Sequence, residues 1–135
     1  MAGWSTTDSA VLYGLNTWGS DFLSIRNDGQ LCISPNGHSA PIQAMVQELE
    51  AQGIGLPILF RFPDVIRSQV NALAGAFHRA MEIYDYRGAY RGVFPIKVNQ
   101  ECSVVRDVVK AAAPHHMGLE AGSKPELLIV LAELQ

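Results

Sequence analysis

The chain has 135 residues, 48% of them hydrophobic and 17% charged. That apolar share excludes a disordered tail and suits one modest globular domain or a piece of a larger one. Ten Lys+Arg against 13 Asp+Glu give a net charge of -3 with no basic block to follow a phosphate backbone, so nucleic acid is not an expected partner.

The start, Met1 to Asp8, lacks the basic and apolar regions of a signal peptide. No apolar run approaches the roughly 20 residues of a membrane span. A soluble, cytoplasmic protein with no membrane partner is therefore expected. Trp4 and Trp18 are expected to help bury this first segment against another part of the protein. Residues 22–26 and 30–34 alternate around Asn27-Asp28-Gly29, which predicts a β-hairpin. Residues 34–38, Ser-Pro-Asn-Gly-His, read as a loop. A short helix is expected from Pro41, with Ile42, Met45, Val46 and Leu49 on one face and Gly53 as its left-handed cap.

From Leu56 the pattern repeats. Residues 57–62 read as a short apolar strand. A helix follows Pro63, with Ile66, Val70, Leu73, Phe77, Met81 and Tyr84 at helical spacing. Residues 92–99 read as a second strand. Residues 103–113 read as a second helix, turning Val104, Val105, Val108, Val109 and Ala112 inward and stopped by Pro114. Residues 116–120 read as a third strand. Ser123 with Glu126 three later then forms a capping box for a third helix, whose apolar face is Leu127, Leu128, Leu131 and Leu134. Three strand–helix units in succession place the chain in the parallel α/β class. The last residues lie inside a helix with no C-cap glycine, and three units cannot close a barrel that needs eight. A truncated piece of a longer protein is expected.

Alternation along the second strand puts Phe94, Ile96 and Val98 on one face and Val93, Pro95, Lys97 and Asn99 on the other. If the first face packs on helices, Lys97 points into a barrel lumen near the C-terminal end of its strand, where such barrels keep their active sites. A buried lysine is costly unless paired or neutralised. Lys97 is then a candidate Schiff-base nucleophile. Spacing alone equally allows a lysine just past the strand with its head in solvent. Glu120 projects from the third strand toward the same interior, where a carboxylate could orient the lysine or bond a cofactor. A solvated strand-end glutamate fits its spacing at least as well.

Other residues offer less. His115 and His116 are adjacent, so they point to opposite faces of a strand and read as structural or surface histidines, with no metal site. Cys102 has no neighbouring histidine pattern to activate it. Cys32 and Cys102 make no metal motif, redox motif or disulfide framework. Gly122 and Ser123 at a helix start could hold an anion, but capping already explains Ser123.

Two blocks of sequence are more specific. Val93-Phe94-Pro95-Ile96-Lys97-Val98-Asn99-Gln100 resembles the lysine motif of bacterial biosynthetic arginine decarboxylases. Gly118-Leu119-Glu120-Ala121-Gly122-Ser123-Lys124-Pro125-Glu126-Leu127 resembles their second block. Residues 13–19 and 56–63 fit the same family's N-terminal region, so the resemblance runs from about Tyr13 to the end. It implies a pyridoxal 5'-phosphate enzyme of the alanine-racemase-like barrel group. The expected organisation is residues 1–55 as an N-terminal hairpin and helix segment, and residues 56–135 as the first three units of a (β/α)8 TIM barrel. It implies decarboxylation of L-arginine to agmatine and CO2 through a lysine–pyridoxal-phosphate Schiff base, as the first step of polyamine synthesis. By the same resemblance Lys97 is the catalytic and cofactor-binding lysine, Glu120 lies near the cofactor, and Glu126 stands behind it. A homo-oligomer and Mg2+ are implied too, although these residues suggest no metal site. The phosphate loop and the groups that choose substrate and donate protons fall outside this stretch, so the chain by itself is expected to be inactive. Ornithine or diaminopimelate decarboxylation, or a non-catalytic pyridoxal-phosphate barrel, are the competing expectations.

Overall fold

The computed structural model describes residues 3–19, 21–35 and 37–134. Met1 and Ala2 at the start, Asn36 of the expected loop and Gln135 at the end lie outside the described residues. The chain is α/β and divides into two compact units, Met1–Phe62 and Pro63–Gln135.

The first unit opens with helix α1 (Thr6–Leu12). Ser5 Oγ accepts the Asp8 N–H at 3.2 Å, and Asp8 Oδ2 accepts the Ser5 N–H at 2.8 Å and the Ser5 hydroxyl at 2.6 Å. These bonds satisfy donors that the first helical turn leaves open. A π-helical turn (Leu15–Gly19) follows. The Trp18 indole N–H bonds the Tyr13 carbonyl at 2.9 Å, and that of Trp4 bonds Ser9 Oγ at 2.9 Å. Both rings stay more than two-thirds exposed.

The hairpin forms as expected, from β1 (Leu23–Ile25) and β2 (Leu31–Ile33), with Leu23 opposite Ile33 and Ile25 opposite Leu31. Gly29 sits at φ +84°, the left-handed region that a side chain disfavours. A third strand, β3 (Ala40–Pro41), pairs antiparallel with β2. The composition of the preceding loop gave no sign of it. Helix α2 (Ile42–Ala51) half-buries Ile42, Met45, Val46 and Leu49, the expected face. Gly53, at φ +85°, donates to Glu50 O, and Ile54 donates to Leu49 O. That pair of bonds is the Schellman ending that a left-handed glycine permits.

Residues 57–62 do not form the expected strand. A strand requires a ladder partner for its backbone groups, and none is present among the described residues. Leu59 is 76% exposed.

The second unit begins with α3 (Pro63–Ile83), which ends one residue short of Tyr84. Only Ala74 on it is fully buried, and Leu73 and Phe77 remain partly exposed. Phe77 stacks on Tyr90 with ring centroids 4.0 Å apart. Strand β4 (Val93–Pro95) pairs in parallel with β5 (Gly118–Glu120), placing Val93 opposite Gly118 and Pro95 opposite Glu120. Helix α4 (Cys102–Ala112) makes the crossover and buries Val104, Val105, Val108, Ala111 and Ala112. Their spacing of three, four and seven gives one continuous stripe, and its burial outweighs the weak helix preference of valine.

Helix α5 (Lys124–Glu133) departs from expectation. Leu127, Leu128, Leu131 and Leu134 are 49–68% exposed, whereas Val130 is buried and Ile129 packs on the core. The helix is apolar over most of its circumference, so hydropathy alone cannot select the buried side.

Candidate functional site

The second strand ends earlier than alternation suggests. After Pro95 the chain curls into a 3₁₀ turn (Ile96–Val98). A turn with three residues per cycle breaks the two-residue alternation of a strand. Ile96 is therefore fully buried against Val105 and Val130, while Val98 is 68% exposed, and the two do not share a face. Lys97 sits between them on this turn and is exposed. Among the described residues it makes no hydrogen bond or ion pair. Asn99 Oδ1 then accepts the Glu101 N–H at 3.0 Å, a side-chain turn that leads into α4.

Lys97 is two residues beyond Pro95, and Pro95 is the register partner of Glu120. Adjacent strands lie about 4.8 Å apart, so the lysine turn and Glu120 occupy the same end of the parallel pair. Glu120 is half-buried. The turn after it is held by Glu126. Glu126 Oε2 accepts the Gly122 N–H at 2.7 Å, Glu126 Oε1 accepts the Ser123 hydroxyl at 3.0 Å, and Ser123 Oγ accepts the Glu126 N–H at 3.4 Å. The capping box thus forms with one change, since the glutamate reaches the residue before the cap. A Cβ on Gly122 would lie 3.4 Å from Glu126 Oε2 and 3.6 Å from Glu120 Oε1. The two predicted carboxylates are thus brought to one glycine. The Gly122 N–H considered for an anion is already engaged by Glu126, as is the Ser123 hydroxyl.

Val98 and Asn99, next to Lys97, line an apolar groove of about 470 Å³ together with Val65, Ile66, Val70, Phe94 and Met117. His115 Nε2 lies 2.7 Å from Asn71 Oδ1, and its ring lies 6.1 Å from that of His78. His116 is exposed at φ +52°. Among the described residues no three His, Cys, Asp or Glu side chains converge as a metal site would require, and no helix is long and apolar enough to cross a membrane.

The residue passed over in the sequence is Glu133. Its side chain is only 9% exposed and pairs with Arg106. Glu126, Val130 and Glu133 fall on one stripe of α5, a pattern that the four leucines obscure.

No family model matches the chain. It is 44% identical to the biosynthetic arginine decarboxylase of Parasynechococcus marenigrum over 98% of its own length and 21% of that protein's. It is 41% identical to that of Gloeobacter violaceus over 100% of its own length and again 21% of the relative. The crystal structure of the biosynthetic arginine decarboxylase SpeA from Campylobacter jejuni superposes with a TM-score of 0.82 at 37% identity, covering 90% of this chain and 20% of that one. The chain thus spans about a fifth of the length of the curated relatives it matches. Along nearly its whole length it is homologous to that fifth of the biosynthetic arginine decarboxylases, a family of enzymes.

Proposed function

We propose that these residues are part of a pyridoxal-phosphate-dependent decarboxylase that converts L-arginine to agmatine and CO2, at the head of polyamine synthesis. Residues 56–135 contribute the first units of a (β/α)8 barrel, and residues 1–55 form a separate N-terminal segment. The observation that carries this reading is the parallel register of Pro95 with Glu120, which gathers the lysine turn and a carboxylate at one strand end. The relatives' names favour arginine over ornithine or diaminopimelate and over a non-catalytic barrel.

The residues present fit the cofactor by their chemistry. Lys97 is an amine uncommitted to any partner among the described residues, on a turn whose base is fixed by buried Ile96. Lys97 Nζ, once deprotonated, would be the nucleophile that holds pyridoxal phosphate through its aldehyde. When bound, the cofactor supplies an electron sink for the pair left as CO2 departs. Glu120 brings a carboxylate to the same strand end as the lysine turn, where it could orient the amine or hydrogen-bond the cofactor. Glu126 keeps the turn after Glu120 closed. Mg2+ is implied by the resemblance, and among the described residues no three His, Cys, Asp or Glu side chains converge to hold it. Groups beyond this stretch would supply substrate selection, and subunits would pair to complete the assembly. The 135-residue chain alone is inactive in this reading.

The test uses the full-length parent protein. Lys97→Ala abolishes both the shifted visible band that pyridoxal phosphate gains when the lysine holds it as an imine and CO2 release from arginine. An unchanged spectrum and rate would overturn the assignment. Agmatine formed by the purified 135-residue chain would overturn the inactivity.

A further inference from the structure

The carboxylate of Glu133, the last residue of α5, bridges to the first turns of α4. Oε2 accepts from Arg106 Nε at 2.9 Å, and Oε1 accepts from the Cys102 thiol at 3.1 Å. Cys102 and Arg106 are four apart, so they share one helix face. These partners are 31 and 27 residues from Glu133 in sequence. The clamp is therefore a tertiary contact rather than a local one.

Its position is informative. Val105 lies one turn after Cys102, and Val130 lies one turn before Glu133. Val105 and Val130 form the buried cluster with Ile96, and Val109, Leu119 and Ile129 pack against it. The polar clamp and the apolar contact thus sit side by side between the same two helices, and Ile96 is the residue before Lys97. Charge agrees with this placement. No side chain caps α4 at Glu101, and a negative charge near a helix start is favourable. The hydrogen bond from Cys102 holds Glu133 below the ordinary carboxylate range and is the main cause holding the thiol above its own.

We propose that Glu133 is a positioning residue for Lys97, clamping α4 to α5 so that Ile96 fixes the turn that carries the amine. This rests on the reading of Lys97 as the cofactor-holding lysine.

The experiment compares full-length wild type with Glu133→Gln and Glu133→Leu, below their melting temperatures. Peptide mapping follows alkylation of Cys102 by iodoacetamide. Borohydride trapping measures the yield of pyridoxal phosphate on Lys97, and kcat and KM for arginine are determined alongside. In both variants Cys102 should react severalfold faster. The trapped yield and kcat should fall severalfold, with KM little changed. A lowered Tm with wild-type trapping and kcat would mean a purely structural clamp and overturn the proposal. So would wild-type alkylation rates in the variants. If the leucine variant does not fold, Glu133→Gln, which keeps the shape and loses the charge, decides alone. If wild type traps no cofactor on Lys97, the reading of that lysine fails. If wild type traps it and the variants match wild type, only the role of Glu133 fails.

Discussion

Glu126 serves both the helix it opens and the turn before it. One carboxylate oxygen takes the Ser123 hydroxyl and the other takes the Gly122 N–H. Ser123→Ala removes the cap together with the hydroxyl bond to Glu126 and should cost about 1 kcal/mol in unfolding free energy, read by urea denaturation. Glu126→Ala keeps the cap on the residue-126 amide but loses the hydroxyl bond and frees the Gly122 amide, and should cost a similar amount. At the other end of the chain Ser5 lowers the pKa of Asp8, chiefly through its hydroxyl and then its backbone N–H. A carboxyl with a depressed folded value adds stability above its ordinary range and loses it as pH falls through the folded value. Acid below the ordinary carboxylate range should therefore release the Ser5 amide and fray α1, seen as faster amide exchange by NMR. Such residue-scale features were unevenly legible. The Ser123–Glu126 pair was visible as a motif. The exposure of Lys97 was one of two readings that spacing left open. Ser5 and Asp8 carry the same spacing, with aspartate where the usual signature has glutamate or glutamine.

Elements were most legible where one face has one partner. Helix α4 has a valine stripe with charges opposite, and its buried set matches the expected one except that Ala111 is buried and Val109 only partly so. The hairpin was fixed by its turn residues, and Gly29→Ala should destabilise it by about 1 kcal/mol, measured by thermal melting. Strand β4 was read too long, because proline and the pull of Ile96 into the α4–α5 contact turn the chain before Lys97. Ile96 is the anchor of that turn and is fully buried. Ile96→Ala should cost about 2–5 kcal/mol, by chemical denaturation of the second unit. Ile96→Val should cost far less. The strand expected at 57–62 has suitable residues but no ladder, and a ladder is a property of neighbours rather than of the segment. The buried side of α5 was unreadable for a related reason, since which side faces inward depends on where Ile96 and Arg106 stand.

At the scale of the molecule, much apolar surface is left uncovered. Leu128 and Leu131 are 68% and 53% exposed on α5, and Leu59 is 76% exposed on the unpaired segment. Exposed apolar faces of this kind favour association. The 135-residue chain prepared alone should sediment as concentration-dependent oligomers, and Leu128→Glu with Leu131→Glu should shift it toward monomer in analytical ultracentrifugation. The parallel pairing of β4 with β5 has a further consequence. Parallel neighbours run the same way, so whatever follows each of them emerges on a common rim. Every additional strand laid alongside in that sense delivers its trailing loop to that rim. Distant stretches of sequence can therefore meet at one place without any change to the scaffold beneath them.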